Sequence, residues 1–88
     1  MKVNLNKSIL DLSGKEIPES NLGQLLSQLL AGASTKENAV KMYYWAQKLY
    51  AGEELDLDPS DTSILLSFVE TNEQLTVLAK AQILQYLK

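Results

Sequence analysis

The groups in this chain that could do chemistry are carboxylates, Lys amines and aromatic rings, because the sequence contains no Cys, no His and no Arg. The missing thiol removes disulfides, thiolate metal sites and thiol nucleophiles. Without His the commonest general base and transition-metal ligand are gone. Without Arg there is no bidentate fork for guanine or phosphate. Catalysis would therefore fall to carboxylates. They are densest in Glu53-Glu54-Leu55-Asp56-Leu57-Asp58-Pro59-Ser60-Asp61. Asp56, Asp58 and Ser60 have the alternate spacing of a calcium loop, yet its sixth position, which needs Gly, is Asp61 and its twelfth, which needs Glu, is Ser67. A solvated helix start, with acids favouring the N-terminal dipole, explains the stretch better. No Gly-rich phosphate loop accompanies it. The expectation is a protein that is not an enzyme and has no catalytic residue, metal or cofactor.

Three aromatic residues in a row, Tyr43-Tyr44-Trp45, carry more information. Helical neighbours are turned by about 100°, so three together cannot share one core stripe. Ala39, Tyr43, Ala46 and Tyr50 define the expected inner face, with Met42, Val40 and Leu49 flanking, which directs Tyr44 or Trp45 outward. Two readings stay open: an exposed anchor for a protein partner, the usual use of large amphipathic rings, or a surface covered by the N-terminal segment. The candidate partner-binding residues are Tyr43, Tyr44, Trp45 and Lys48. Base stacking needs basic interleaving, and only Lys41 and Lys48 flank the rings.

The elements that must position these residues are legible in outline. Eighty-eight residues make one domain, 1–88, and 45% apolar composition is enough for a core. Val3-Asn4-Leu5-Asn6 alternates like a half-buried strand, and Ser13-Gly14 marks a turn, so 1–17 reads as a β-hairpin or small meander. Four helices follow over 20–88. The first has Ser20 as N-cap, a stripe of Leu22, Leu25, Leu26, Leu29 and Leu30, and Gly32 at its end. Core is the favoured reading of the stripe, with a homo-oligomer seam as the alternative. Gly23 inside this helix implies a close crossing or merely a first-turn position. Ser34-Thr35-Lys36-Glu37 has capping-box form for the second helix. Asp58-Pro59 starts the third, burying Ile64, Leu65, Phe68 and Val69. Thr71 and Gln74 recap the fourth, which carries Leu75, Val77, Leu78, Ala81, Leu84 and Leu87 or Tyr86. The expected class is α+β, predominantly α.

The net charge of −3, with Lys spread along the chain, speaks against direct nucleic-acid binding. No apolar run approaches the ~18 residues of a membrane span, and MKVNLNKS is too polar for the centre of a signal peptide. The expected setting is the cytoplasm.

NLNKSILDLSGKEIPESNLGQLLSQLL, YYWAQKLYAGEELDLDPSD and TNEQLTVLAKAQILQYLK together resemble small bacteriophage- and prophage-encoded proteins of similar length. The shared features are a D-x-x-G-K turn (Asp11, Gly14, Lys15) and an A-x-K-L-Y-x-G-E stretch (Ala46, Lys48, Leu49, Tyr50, Gly52, Glu53). These are structural punctuation and transfer no functional residue. The resemblance implies a phage context in the bacterial host cell, with association with the virion left open. Its leading form is an interaction module serving virion or tail assembly. The alternative is a small regulator that meets host nucleic-acid machinery, either by binding a protein or by imitating the acidic surface of DNA through Glu53, Glu54, Asp56, Asp58 and Asp61.

Overall fold

The computed structural model describes residues 1–34 and 38–87. The order is β1 (Lys2–Val3), α1 (Leu22–Gly32), α2 (Ala39–Tyr50), β2 (Leu55–Asp56), α3 (Pro59–Thr71) and α4 (Val77–Leu87). The class is α+β, predominantly α, with a small antiparallel sheet beside four helices.

The strand at the N-terminus pairs remotely. Lys2 faces Asp56 and Val3 faces Leu55, and the ladder continues where the Leu57 amide donates to the Met1 carbonyl at 2.8 Å. Alternation explains the choice: Val3, Leu5, Leu55 and Leu57 are all buried while Lys2, Asn4 and Asp56 face out, so each strand completes the other's apolar face. Residues 9–17 close separately on themselves through a Leu10–Glu16 bridge. Asp11 builds that turn: its carboxylate accepts from the Ser13 amide and hydroxyl and from the Lys15 amide. Gly14 supplies the positive φ of 89°. The side chain of Gln82 on α4 then binds both backbone groups of Leu10, accepting from its amide at 2.9 Å and donating to its carbonyl at 2.7 Å. A side-chain amide thus acts as a further strand, fastening the turn to α4.

Several caps differ from the sequence reading. Ser20 does not cap α1; its hydroxyl accepts from the Ile9 amide and donates to the Ile17 carbonyl, stapling the 9–17 turn. Asn21, in extended conformation, is the N-cap and accepts from the Gln24 amide at 2.9 Å. The expected capping box at 34–37 lies largely outside the described residues. Asp58 caps α3 as expected, accepting from the Asp61 amide at 2.7 Å with Pro59 next to it. Thr71 ends α3 instead of starting α4: its hydroxyl donates to the Ser67 carbonyl. The intervening turn uses Asn72, and the Thr76 hydroxyl accepts from the Ala79 amide to open α4. On α4 the buried positions are Ala79, Ile83 and Leu87, preceded by Leu75. Val77 and Ala81, expected inside, face solvent.

The α1 stripe is core. Leu22, Leu26 and Leu30 are buried, and Leu25 and Leu29 pack against the same cluster. Gly23 sits where backbones touch. Its amide donates to the Leu5 carbonyl at 2.9 Å, and a Cβ there would meet the Leu5 and Leu49 carbonyl oxygens at 3.2 and 3.3 Å. The glycine suits the close approach of the Leu5 backbone and the end of α2 to the start of α1.

Candidate functional site

Helix α2 has two apolar faces and only one core to bury them in. Met42, Trp45, Ala46 and Leu49 face inward, so the inner face lies about 80° round the helix from the one the sequence suggested. Trp45 is 4% exposed, whereas Tyr43 is 63% and Tyr50 66% exposed. The physical reason is size and polarity: the indole is the larger apolar surface, and a phenol hydroxyl keeps its hydrogen bonds by staying in water. Trp45 therefore belongs to the core and presents no anchor, while Tyr43 and Tyr50, placed inside by the sequence reading, are outside. The N-terminal turn docks on α4 and leaves them uncovered.

The four candidate residues consequently separate. Tyr43 joins an outward groove between α1 and α2. Tyr44, 54% exposed, lies on another side of α2, where the Lys48 amine stands 5.5 Å from its ring centroid in a cation–π contact. Lys48 also borders a polar cleft with Lys2, Glu53, Glu54 and Asp56. Trp45 lines neither and lies in the core.

The groove encloses about 230 Å³ and is lined by Ser27, Gln28 and Ala31 from α1 and by Tyr43, Ala46 and Tyr50 from α2. Small residues on the α1 side lower its floor and the two rings rise beside it. Gln47 completes the lining and donates from Nε2 to the Tyr43 hydroxyl oxygen at 3.2 Å. Val40, 83% exposed, extends the stripe. A smaller cavity of about 140 Å³ shares Ala31 and Tyr43. Tyr50, Val40 and Gln47 are members that the sequence reading did not place in the site. Their spacing of three, four and three residues was visible, but polar Gln47 interrupts it as an apolar pattern.

Charge is nearly absent here. Leu22–Gly32 has no charged residue, and Ala39–Tyr50 has only Lys41 and Lys48. Lys41 turns to α3 and pairs with Asp61 at 2.8 Å. Their mutual hydrogen bond raises the Lys41 pKa and lowers that of Asp61. Asp11 is also held below the usual carboxylate range, chiefly by the Ser13 hydroxyl. All three shifts come from structural contacts on the surface. Among the described residues no group of three His, Cys, Asp or Glu converges as a metal site. None of the described helices is long and apolar enough to cross a membrane.

Comparison with family models, curated proteins and solved structures gives no match.

Proposed function

We propose that this chain is a non-enzymatic protein-interaction module that binds its partner through the α1–α2 face carrying Tyr43 and Tyr50. The observation that supports it is the second apolar stripe of α2, left in solvent with two rings about two-thirds exposed beside a groove. Tyrosine gives large, rigid contact area at low entropic cost, and rings at the centre of a patch are the usual hot spots. The resemblance to small phage proteins suggests the setting: assembly of a virion or tail in the cytoplasm of a bacterial host, with a phage or host protein as partner.

The second reading, a regulator of host nucleic-acid machinery using an acidic surface, has less support. Asp58 is engaged as a helix cap and Asp61 in an ion pair. Glu53, Glu54 and Asp56 share their cleft with Lys2 and Lys48, which dilute the negative field.

Tagged full-length chain used as bait in host lysate tests both. Proteins captured by the wild type should be lost with Tyr43→Ser/Tyr50→Ser and kept with Glu53→Gln/Glu54→Gln. The opposite pattern would replace the first reading by the second, and retention by both variants would overturn both.

A further inference from the structure

We infer that the occupant of the tyrosine face is the same face of a second copy of this chain, packed as a two-fold antiparallel α2–α2 pair. The inference rests on the interaction reading above and names its partner. Three independent features of the face carry it.

The first is charge. The chain bears −3, and all its acids lie outside α1 and α2. Two copies meeting through any acidic surface would repel; this face offers no such penalty. Nor does it offer a charged group for a differently charged partner to complement, since Lys41 is turned to Asp61 and Lys48 lies over Tyr44.

The second is pattern. Val40, Tyr43, Gln47 and Tyr50 are spaced three, four and three, the seam spacing of helices packed at a shallow angle. With a two-fold axis between Ala46 and Gln47, Tyr43 of each copy lies opposite Tyr50 of the other. These are the reciprocal contacts an isologous interface requires, and aromatic pairs stack favourably when offset. Gln47 is the central polar seam residue. Its Nε2 already donates to Tyr43, which leaves its carbonyl oxygen and the phenolic hydrogen available. A side-chain amide both donates and accepts, so it complements its own copy across the axis.

The third is area. At roughly 200 Å² for a full aromatic ring, Val40, Tyr43 and Tyr50 together expose about 400 Å². A standard interface needs about 800 Å² per partner. Exposed Gln28, Ala31, Ala39 and Gln47 adjoin them and extend the patch, which suits a weak dimer.

Sedimentation equilibrium on the full chain tests the proposal, beside oxidative cross-linking. The expected result is a monomer–dimer equilibrium with a dissociation constant in the micromolar range, the weak end for an interface of this size. Tyr43→Ser/Tyr50→Ser should weaken it at least about 30-fold with an unchanged circular dichroism spectrum. The chain has no Cys, so Gln47→Cys introduces a single thiol near the axis. Copper-catalysed oxidation by dissolved oxygen should join two such thiols as a disulfide much faster than in Gln85→Cys, an exposed α4 position. A wild type that stays monomeric at several hundred micromolar overturns the inference. So does a dimer indifferent to the tyrosine changes, or equal cross-linking of the two Cys variants. If any of these accompanies tyrosine-dependent capture of another protein, the interaction reading stands and only its occupant changes.

Discussion

Replacing Trp45 is the sharpest test of which side of α2 is the core. Its ring is 4% exposed, so truncation to Ala removes nearly all of a side chain that buries about 200 Å². At ~25 cal/mol per Å² that is about 5 kcal/mol, within the 3–5 kcal/mol observed when large core aromatics are cut back. A chain of 88 residues has about 4–13 kcal/mol of stability in total, so Trp45→Ala should remove between roughly a quarter and all of it. Trp45→Phe keeps most of the contact and should cost ~1–2 kcal/mol, a fall in Tm of about 4–16 °C. Tyr43→Ala, with the ring in solvent, should stay within about 0.5 kcal/mol of wild type when both are measured at submicromolar protein, where association adds nothing to stability. Far-ultraviolet circular dichroism during heating and urea titration reads all three. Trp45 is also the only Trp, so the native wild type should show blue-shifted emission that acrylamide barely quenches. A red-shifted, readily quenched native spectrum would refute the inward orientation of Trp45. So would a Tyr43→Ala variant as destabilised as Trp45→Phe.

Three further outcomes follow from the contacts. Gly23→Ala should destabilise by ~1–3 kcal/mol in urea titration, since its Cβ forces two backbone carbonyls apart; an unchanged or raised midpoint would show that the contact relaxes freely. Gln82→Ala leaves both Leu10 backbone groups without their partner and should cost about 1–2 kcal/mol, with faster amide exchange at Leu10, Asp11 and Ile17; slow exchange there would show the turn holds by itself. The Lys41–Asp61 pair should contribute between the extremes of pH and be lost at them. Asp61 has a lowered pKa, so its contribution is full above the ordinary value of 3.8 and is lost as pH falls through the lower folded value. Lys41 has a raised pKa, so its contribution is full below 10.5 and is lost as pH rises through the higher folded value. Lys41→Met should therefore lower the plateau between the two limbs only slightly, because exposed pairs are weak, and leave stability at both extremes of pH unchanged; a large loss at neutral pH would contradict this.

The start of α3 was legible because it carries local chemistry. Asp58 and Pro59 fix the start of α3 by a side-chain acceptor and a preset φ, and neither depends on the rest of the fold. The strand partner was not legible. Val3 and Leu55 pair across two intervening helices, and nothing within a short window of either residue encodes that meeting. Ser20 misled for a related reason. Its hydroxyl suits a helix cap or a turn staple equally, and the choice depends on Ile9 and Ile17 arriving beside it. Gln82 carried no signal, because an exposed amide on a helix reads as surface until a backbone comes within reach.

The candidate site shows how periodicity can be sound and still misassign a face. On α2 the set Ala39, Tyr43, Ala46, Tyr50 and the set Met42, Trp45, Ala46, Leu49 both fit helical spacing and share Ala46. Periodicity says that such a helix has apolar stripes; it does not say which stripe meets the core. That is decided by what packs opposite. The backbone contact at Gly23 brings the Leu49 carbonyl against the start of α1, which turns Leu49, and with it Trp45 and Met42, toward the buried leucines. The same rotation carries Tyr43 and Tyr50 outward, beside the small residues Ser27 and Ala31 of α1. The composition of the two stripes agrees with that outcome: the buried one holds Met, Trp and Leu, whereas the exposed one has Tyr and Gln, whose polar ends tolerate water until an apolar partner face covers the rest. A helix with phenols on the outside and an indole on the inside can remain folded alone and still have a surface to bury.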